Sequence, residues 1–292
     1  MSLATLLPLL LKTSIALTVV TFGLRATPGD ATSLLRDPPR LVRSMLAVVI
    51  LMPLVAIALA LTLDLHPAVR IALVALAVSP VPPLVPKKVL KAGGDATYMI
   101  GLLIAAAVLS IITIPVALEL LERAGAAPLT MPARAIALLI VTSVLAPLAV
   151  GIIIRRLAPN FAERVAGPVA LVATVMLVVA VVPILVKAVP VAVSLIGNGT
   201  LLATVVFVVV AIAAGHLLGG PKPADRTVLA VATASRHPGV ALAIAHVNFP
   251  NESMVAGAVI LYLLIGGVLS ALYLKWSSHR AAAPVSPAIA TR

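Results

Sequence analysis

Apolar runs that approach or exceed the roughly 20 residues needed to cross a hydrocarbon layer of about 30 Å recur along the whole chain. They recur too regularly to belong to one buried core, so each is read as a membrane span. Composition agrees, because 62% of the 292 residues are hydrophobic and 10% are charged, far from the balance of a soluble domain. The first run, from Met1 to Leu11, lacks the basic start and the small-residue cleavage site of a signal peptide and reads as the first span. A formal net charge of +12 raises the question of nucleic acid. The basic residues are scattered between spans and not clustered with aromatics, so they read as topology signals, with a lipid bilayer and not a nucleic acid as partner. The chain has no cysteine, which removes disulfides and thiolate metal or redox chemistry. No nucleophile and base pair, metal cluster or glycine-rich phosphate loop stands out, so neither an enzyme nor a cofactor or metal site is expected.

Hydropathy places about nine spans, near 4–24, 41–62, 67–92, 96–118, 132–154, 166–186, 196–219, 226–248 and 253–275. An odd number puts the termini on opposite sides. The loops of one side then carry Arg25, Arg36, Arg40, Arg43, Lys91, Arg155, Arg156, Arg164, Lys222, Arg226, Lys275, Arg280 and Arg292, and the loops of the other carry Arg70, Arg123, Arg134 and Lys187. By the positive-inside rule the first, basic face is cytoplasmic, with the N-terminus outside and the C-terminus inside a multi-pass protein of the cell membrane. Residues 1–278 are expected to form one transmembrane domain and residues 279–292, rich in Ala and Pro, a disordered cytoplasmic tail.

Two spans are interrupted. In "SPVPPLVPKKVLKAGGD" the prolines Pro80, Pro82, Pro83 and Pro86 cannot all fit one continuous helix, because each removes an amide donor and clashes with the preceding turn. In "TASRHPGVALAIA" Arg236 and His237 are followed by Pro238 and Gly239. At 1.5 Å per residue Arg236 lies about 15 Å from Arg226, which puts it near the bilayer midplane. Freed backbone groups survive at that depth only where protein or a water-filled cavity satisfies them. A pair of interrupted spans at matching places in two halves of a chain points to the binding site of a secondary transporter, here an inverted repeat that lacks its first helix. An arginine at that depth lines a cavity or finds a partner. Lys87 and Lys88 allow two readings, as anchors at the basic face or as part of the same site. Ser79, Thr233 and Ser235 are the side-chain oxygens at the breaks.

The stretches "TFGLRATPGD", "LLRDPPRLV", "VLKAGGDATYM" and "RHPGVALAIAHVNF", in this order and spacing, resemble the bile acid:sodium symporter family over residues 5–278. The resemblance implies an all-α membrane fold in which a panel and a core are built from inverted repeats, with two discontinuous helices crossing in the core. It also implies where sodium ligands would stand, and this chain departs from them. Val85 and Pro86 occupy the places of a serine and an asparagine, Met99 and Leu103 those of two hydroxyls, and Val48 that of a glutamine. Ala232 replaces a glutamate, Arg236 a glutamine and His237 an asparagine.

The expectation that follows is a transporter of a small organic anion working by alternating access without sodium. Lys87, Lys88, Arg236 and His237 either replace the ions electrostatically or contact the substrate, for which arginine is a natural bidentate partner. Half-helices beginning near Pro86 and at Pro238 would add their positive ends to that field. The alternatives are a sodium-coupled organic anion symporter and a non-transporting sensor or scaffold of the same fold.

Overall fold

The computed structural model describes residues 3–26, 29–123 and 133–282, and every regular element in them is helical. Among the described residues eight helices are long and apolar enough to cross a membrane, and a ninth, α3, is shorter and broken; in order they are α1 (Leu3–Arg25), α2 (Pro38–Thr62), α3, α4 (Ala96–Arg123), α5 (133–157), α6 (Pro159–Ser194), α7 (Thr200–Leu218), α8 and α9 (Val255–Ala282). Helix α3 is made of two halves, α3a (Pro67–Val78) and α3b (Val85–Lys91), and α8 likewise of α8a (Pro223–Ala234) and α8b (Pro238–Asn248). The order of spans, and the two that are broken, are those expected from hydropathy and proline placement.

Local chemistry fixes where the helices begin. Asp37 accepts from the amide of Arg40 at 3.2 Å, with Pro38 opening α2. The ring Nδ1 of His66 accepts from the amide of Ala68 at 3.2 Å ahead of α3a, and Asp95 accepts from the amide of Tyr98 at 2.6 Å ahead of α4. Each cap satisfies an amide that the helix itself leaves free. Helices α2 and α5 widen into π turns at Leu46–Leu51 and Val141–Leu145, each just before or at a proline-containing turn, at Pro53 and Pro147. A proline cannot donate to the carbonyl four residues back and crowds it, and a wider turn relieves both problems.

Helix α6 runs 36 residues, about 54 Å, well past the expected 166–186 at both ends. It passes Pro168, Pro183 and Pro190 without interruption, since isolated prolines remove single hydrogen bonds where the cluster in α3 removes several. Helix α9 likewise continues to Ala282, so the first residues of the expected tail, 279–282, are helical, and 283–292 lie outside the described residues.

The helices pack as two groups. Helix α1 lies against α5 and α6, and the approach is close at Gly23 and Gly151, where a methyl on Gly151 would come within 2.2 Å of the Val20 carbonyl. Small residues that let backbones touch are a standard means of association in lipid, where apolar burial gives little drive. The second group joins α2, α3, α4, α7, α8 and α9, and holds the main apolar cluster, which includes Val48, Leu76, Met99, Phe207 and Ala232. The groups meet along α4 with α5 and α6 with α9. On α6 the side chains of Leu171, Val175, Val178, Val182 and Val186 are more than half exposed, an apolar surface suited to lipid.

Candidate functional site

The two interruptions meet. The linker Ser79–Leu84 between α3a and α3b holds Pro80, Pro82 and Pro83, while Pro86 sits in the first turn of α3b, where a proline is tolerated. The linker of α8 is Ser235–His237, and Pro238 opens α8b in the same way. Across the gap the amide of His237 donates to the carbonyl of Pro80 at 2.9 Å, and Nη1 of Arg236 donates to the carbonyl of Ser79 at 3.2 Å. On the other side the hydroxyl of Tyr262, from α9, donates to the carbonyl of Ala234 at 2.5 Å. Carbonyls left open at the ends of α3a and α8a thus find partners in protein, as a low-dielectric surrounding requires.

Arg236 is 1% exposed, the largest fully buried side chain described. Its Nε and Nη2 find no acceptor among the described residues, nor does Nε2 of His237. His237 caps α8b, its Nδ1 accepting from the amide of Val240 at 3.4 Å. That role needs Nδ1 without a proton, so the ring is neutral in this arrangement and the fixed charge rests on Arg236. Gly239 leaves space beside this cap, since a methyl there would come within 3.2 Å of the His237 ring. Ser79 turns its hydroxyl back to Ala75 and Leu76 in α3a, Thr233 is buried with an unpartnered hydroxyl, and Ser235 is half-buried.

Lys87 and Lys88 do not join this cluster. Helix α3b turns Val85, Pro86 and Val89 inward, which leaves both lysines on its exposed side. An ammonium loses less hydration there than in the apolar core. Nζ of Lys87 donates to Thr174 Oγ1 of α6 at 2.6 Å, so this side chain bridges the two helix groups.

Val48, Val85, Met99, Leu103 and Ala232 are apolar and buried, and all belong to the main cluster. Arg236 faces a small cavity lined by Val48, Val78, Ser79, Pro80, Ser110 and Thr113, among others, with about 10 Å³ for the centre of a water-sized body.

A second polar group was not foreseen from the sequence. Asp225, 3% exposed at the start of α8a, is ion-paired with Arg40 of α2. The guanidinium of Arg40 also lies 4.3 Å over the ring of Tyr98, whose hydroxyl meets Ser44 at 2.8 Å. The signal for this group and for Tyr262 was rarity. The chain has three tyrosines, and a buried tyrosine hydroxyl needs a partner. His216, the histidine inside α7, packs against Trp276 and meets the Tyr273 hydroxyl at 2.8 Å.

A bundle of membrane-length helices in which two interrupted, apolar helices meet at their breaks has the architecture of secondary transporters. The model of the Sodium Bile acid symporter family matches residues 13–195, more than half of the chain, and the protein belongs to that family. It is therefore a membrane transporter, not an enzyme. The match runs from α1 to the end of α6 and stops before the second break. No curated protein matches the chain.

Proposed function

We propose that the protein carries a small organic anion across the cell membrane without sodium, and that Arg236 stands in for the alkali ion at the crossing. The observation that supports this is the bond from Arg236 Nη1 to the Ser79 carbonyl, made where the family's sodium ligands have become apolar side chains. A sodium ion needs several oxygen ligands and gains most from a carboxylate. No Asp or Glu lines the cavity at Arg236. Of the two roles open to this residue, ion replacement suits its burial better than direct contact with an organic substrate.

Transport then proceeds by movement of the group α2, α3, α4, α7, α8 and α9 against the group α1, α5 and α6, with the substrate between them. Lys87 lies on that boundary beside Thr174 and is the side chain best placed to meet a carboxylate or sulfonate. Lys88, exposed on the same half-helix, adds charge to the approach. The basic face carrying Arg40, Arg43 and Arg226 is cytoplasmic in this reading. Uptake of labelled organic anions into proteoliposomes, with sodium replaced by potassium at constant ionic strength, tests it. Equal rates are expected, and uptake that needs sodium would refute it.

A further inference from the structure

We infer that Arg236 holds a monatomic anion of the chloride type in the cavity beside the crossing. The guanidinium has five N–H donors. Nη1 serves the Ser79 carbonyl, while Nε and Nη2 are buried with no protein acceptor among the described residues. Three helix ends meet here, as the bonds of Arg236, His237 and Tyr262 to the carbonyls of Ser79, Pro80 and Ala234 show. Helices α3a and α8a arrive with partially negative C-termini, and α8b leaves with a partially positive N-terminus. To first order these half-charges sum to about half a negative charge, so about half of the guanidinium's charge remains unmatched.

A buried charge without a counter-charge is strongly unfavourable. The described residues offer none at this point: the position that the resemblance assigns to a glutamate is Ala232, and the cavity walls are aliphatic apart from Ser79, Ser110, Thr113 and Arg236 itself. The counter-charge therefore comes from solution. Room for about one water-sized body excludes a carboxylate or sulfonate attached to a carbon skeleton, and a chloride ion, somewhat larger than water, enters once the aliphatic walls give by a few tenths of an ångström. Ser110 spends its proton on the carbonyl of Ala107 at 2.6 Å, which leaves the Thr113 hydroxyl as the second donor able to turn toward an anion. The inference rests on the proposed function only in treating Arg236 as a permanent cation at the crossing. It assigns the residue a ligand of its own, separate from the transported substrate.

The test is thermal melting of the purified full-length protein in detergent, in potassium salts of constant total concentration, as gluconate is replaced by chloride. The expected result is a saturable rise in Tm with chloride. Thr113→Val, which keeps the guanidinium, should raise the half-saturating chloride concentration about tenfold, the loss of one hydrogen bond to a charged group. Arg236→Gln should abolish the response. A wild-type Tm indifferent to chloride overturns the inference, as does a full chloride response in Arg236→Gln. Should Arg236→Gln fail to fold, an unchanged half-saturation in Thr113→Val overturns it instead. Indifference to chloride alongside sodium-independent uptake defeats this inference alone. Sodium-driven uptake defeats the transport reading whatever chloride does.

Discussion

The amide of His237 and the carbonyl of Pro80 are 2.9 Å apart, so the break in one half of the chain closes on the break in the other. Each interruption exposes backbone that lipid cannot satisfy, and each supplies what the other lacks. Arg236, next in the chain to His237, adds a side-chain bond to Ser79, next to Pro80. The crossing is therefore held by adjacent backbone and guanidinium contacts, and its behaviour under substitution follows from them.

Arg236→Ala should lower stability by about 2 kcal/mol through loss of a charge-assisted hydrogen bond to a buried carbonyl, and should abolish transport. Arg236→Lys should not restore either property in full, because a single ammonium on a flexible stem lacks the planar, multi-donor geometry. Thermal melting and uptake of the two variants side by side check this.

Tyr262→Phe leaves the Ala234 carbonyl at the end of α8a buried without its donor. A loss of about 1–3 kcal/mol is expected, with the other two tyrosines unaffected. Denaturant or thermal unfolding against wild type gives the number.

Lys87 is exposed, so Lys87→Met should barely move Tm. In transport it should raise KM for an organic anion about tenfold, the worth of one charge-assisted contact. Thr174→Val, which removes its partner on α6, should shift KM less. Lys88→Met should change KM less than Lys87→Met, since the Thr174 contact belongs to Lys87. Kinetics of uptake across the three variants decides among these outcomes.

Asp225→Ala should destabilise by about 3 kcal/mol, because it strands the Arg40 guanidinium in a mostly buried position. The double change Arg40→Met with Asp225→Leu should recover most of that loss, since an apolar pair of similar volume avoids the desolvation of two charges. Melting temperatures of wild type, Arg40→Met, Asp225→Leu and the double variant form a cycle that reports the coupling.

Much of this arrangement was legible in the chain. The nine helices of the described residues follow from apolar runs whose length has little latitude in a bilayer, and the breaks follow from Pro80, Pro82, Pro83 and Pro238, whose missing amides have a known consequence. The fate of Lys87 and Lys88 was less legible. Which side of α3b they occupy depends on its helical phase, set by Val85 and Val89 packing inward, and seven residues are too few to show that in sequence. The full reach of α6 was hidden because polar residues such as Asn160, Glu163 and Arg164 mask its start and Lys187 and Pro190 interrupt the apolar run at its end. The pairing of Arg40 with Asp225 joins residues 185 positions apart, and at a span end an acid reads as loop. Arg236 was legible because an arginine between apolar turns has few places to go, whereas its bond to Ser79 needed the fold.

Restoring a carboxylate alone should not restore sodium coupling. Ala232→Glu would place one acid in the apolar cluster that also holds Val48, Met99 and Leu103, side chains without oxygen ligands. Its uptake rates in sodium and potassium should match, and sodium stimulation of this variant would count against ion replacement by Arg236.

The most direct measurement is equilibrium binding of radiolabelled sodium to the purified wild-type protein, with potassium as the balancing cation. A guanidinium already bonded to the Ser79 carbonyl leaves no seat for the ion, so no saturable sodium binding is expected. Saturable binding that potassium fails to displace would contradict it.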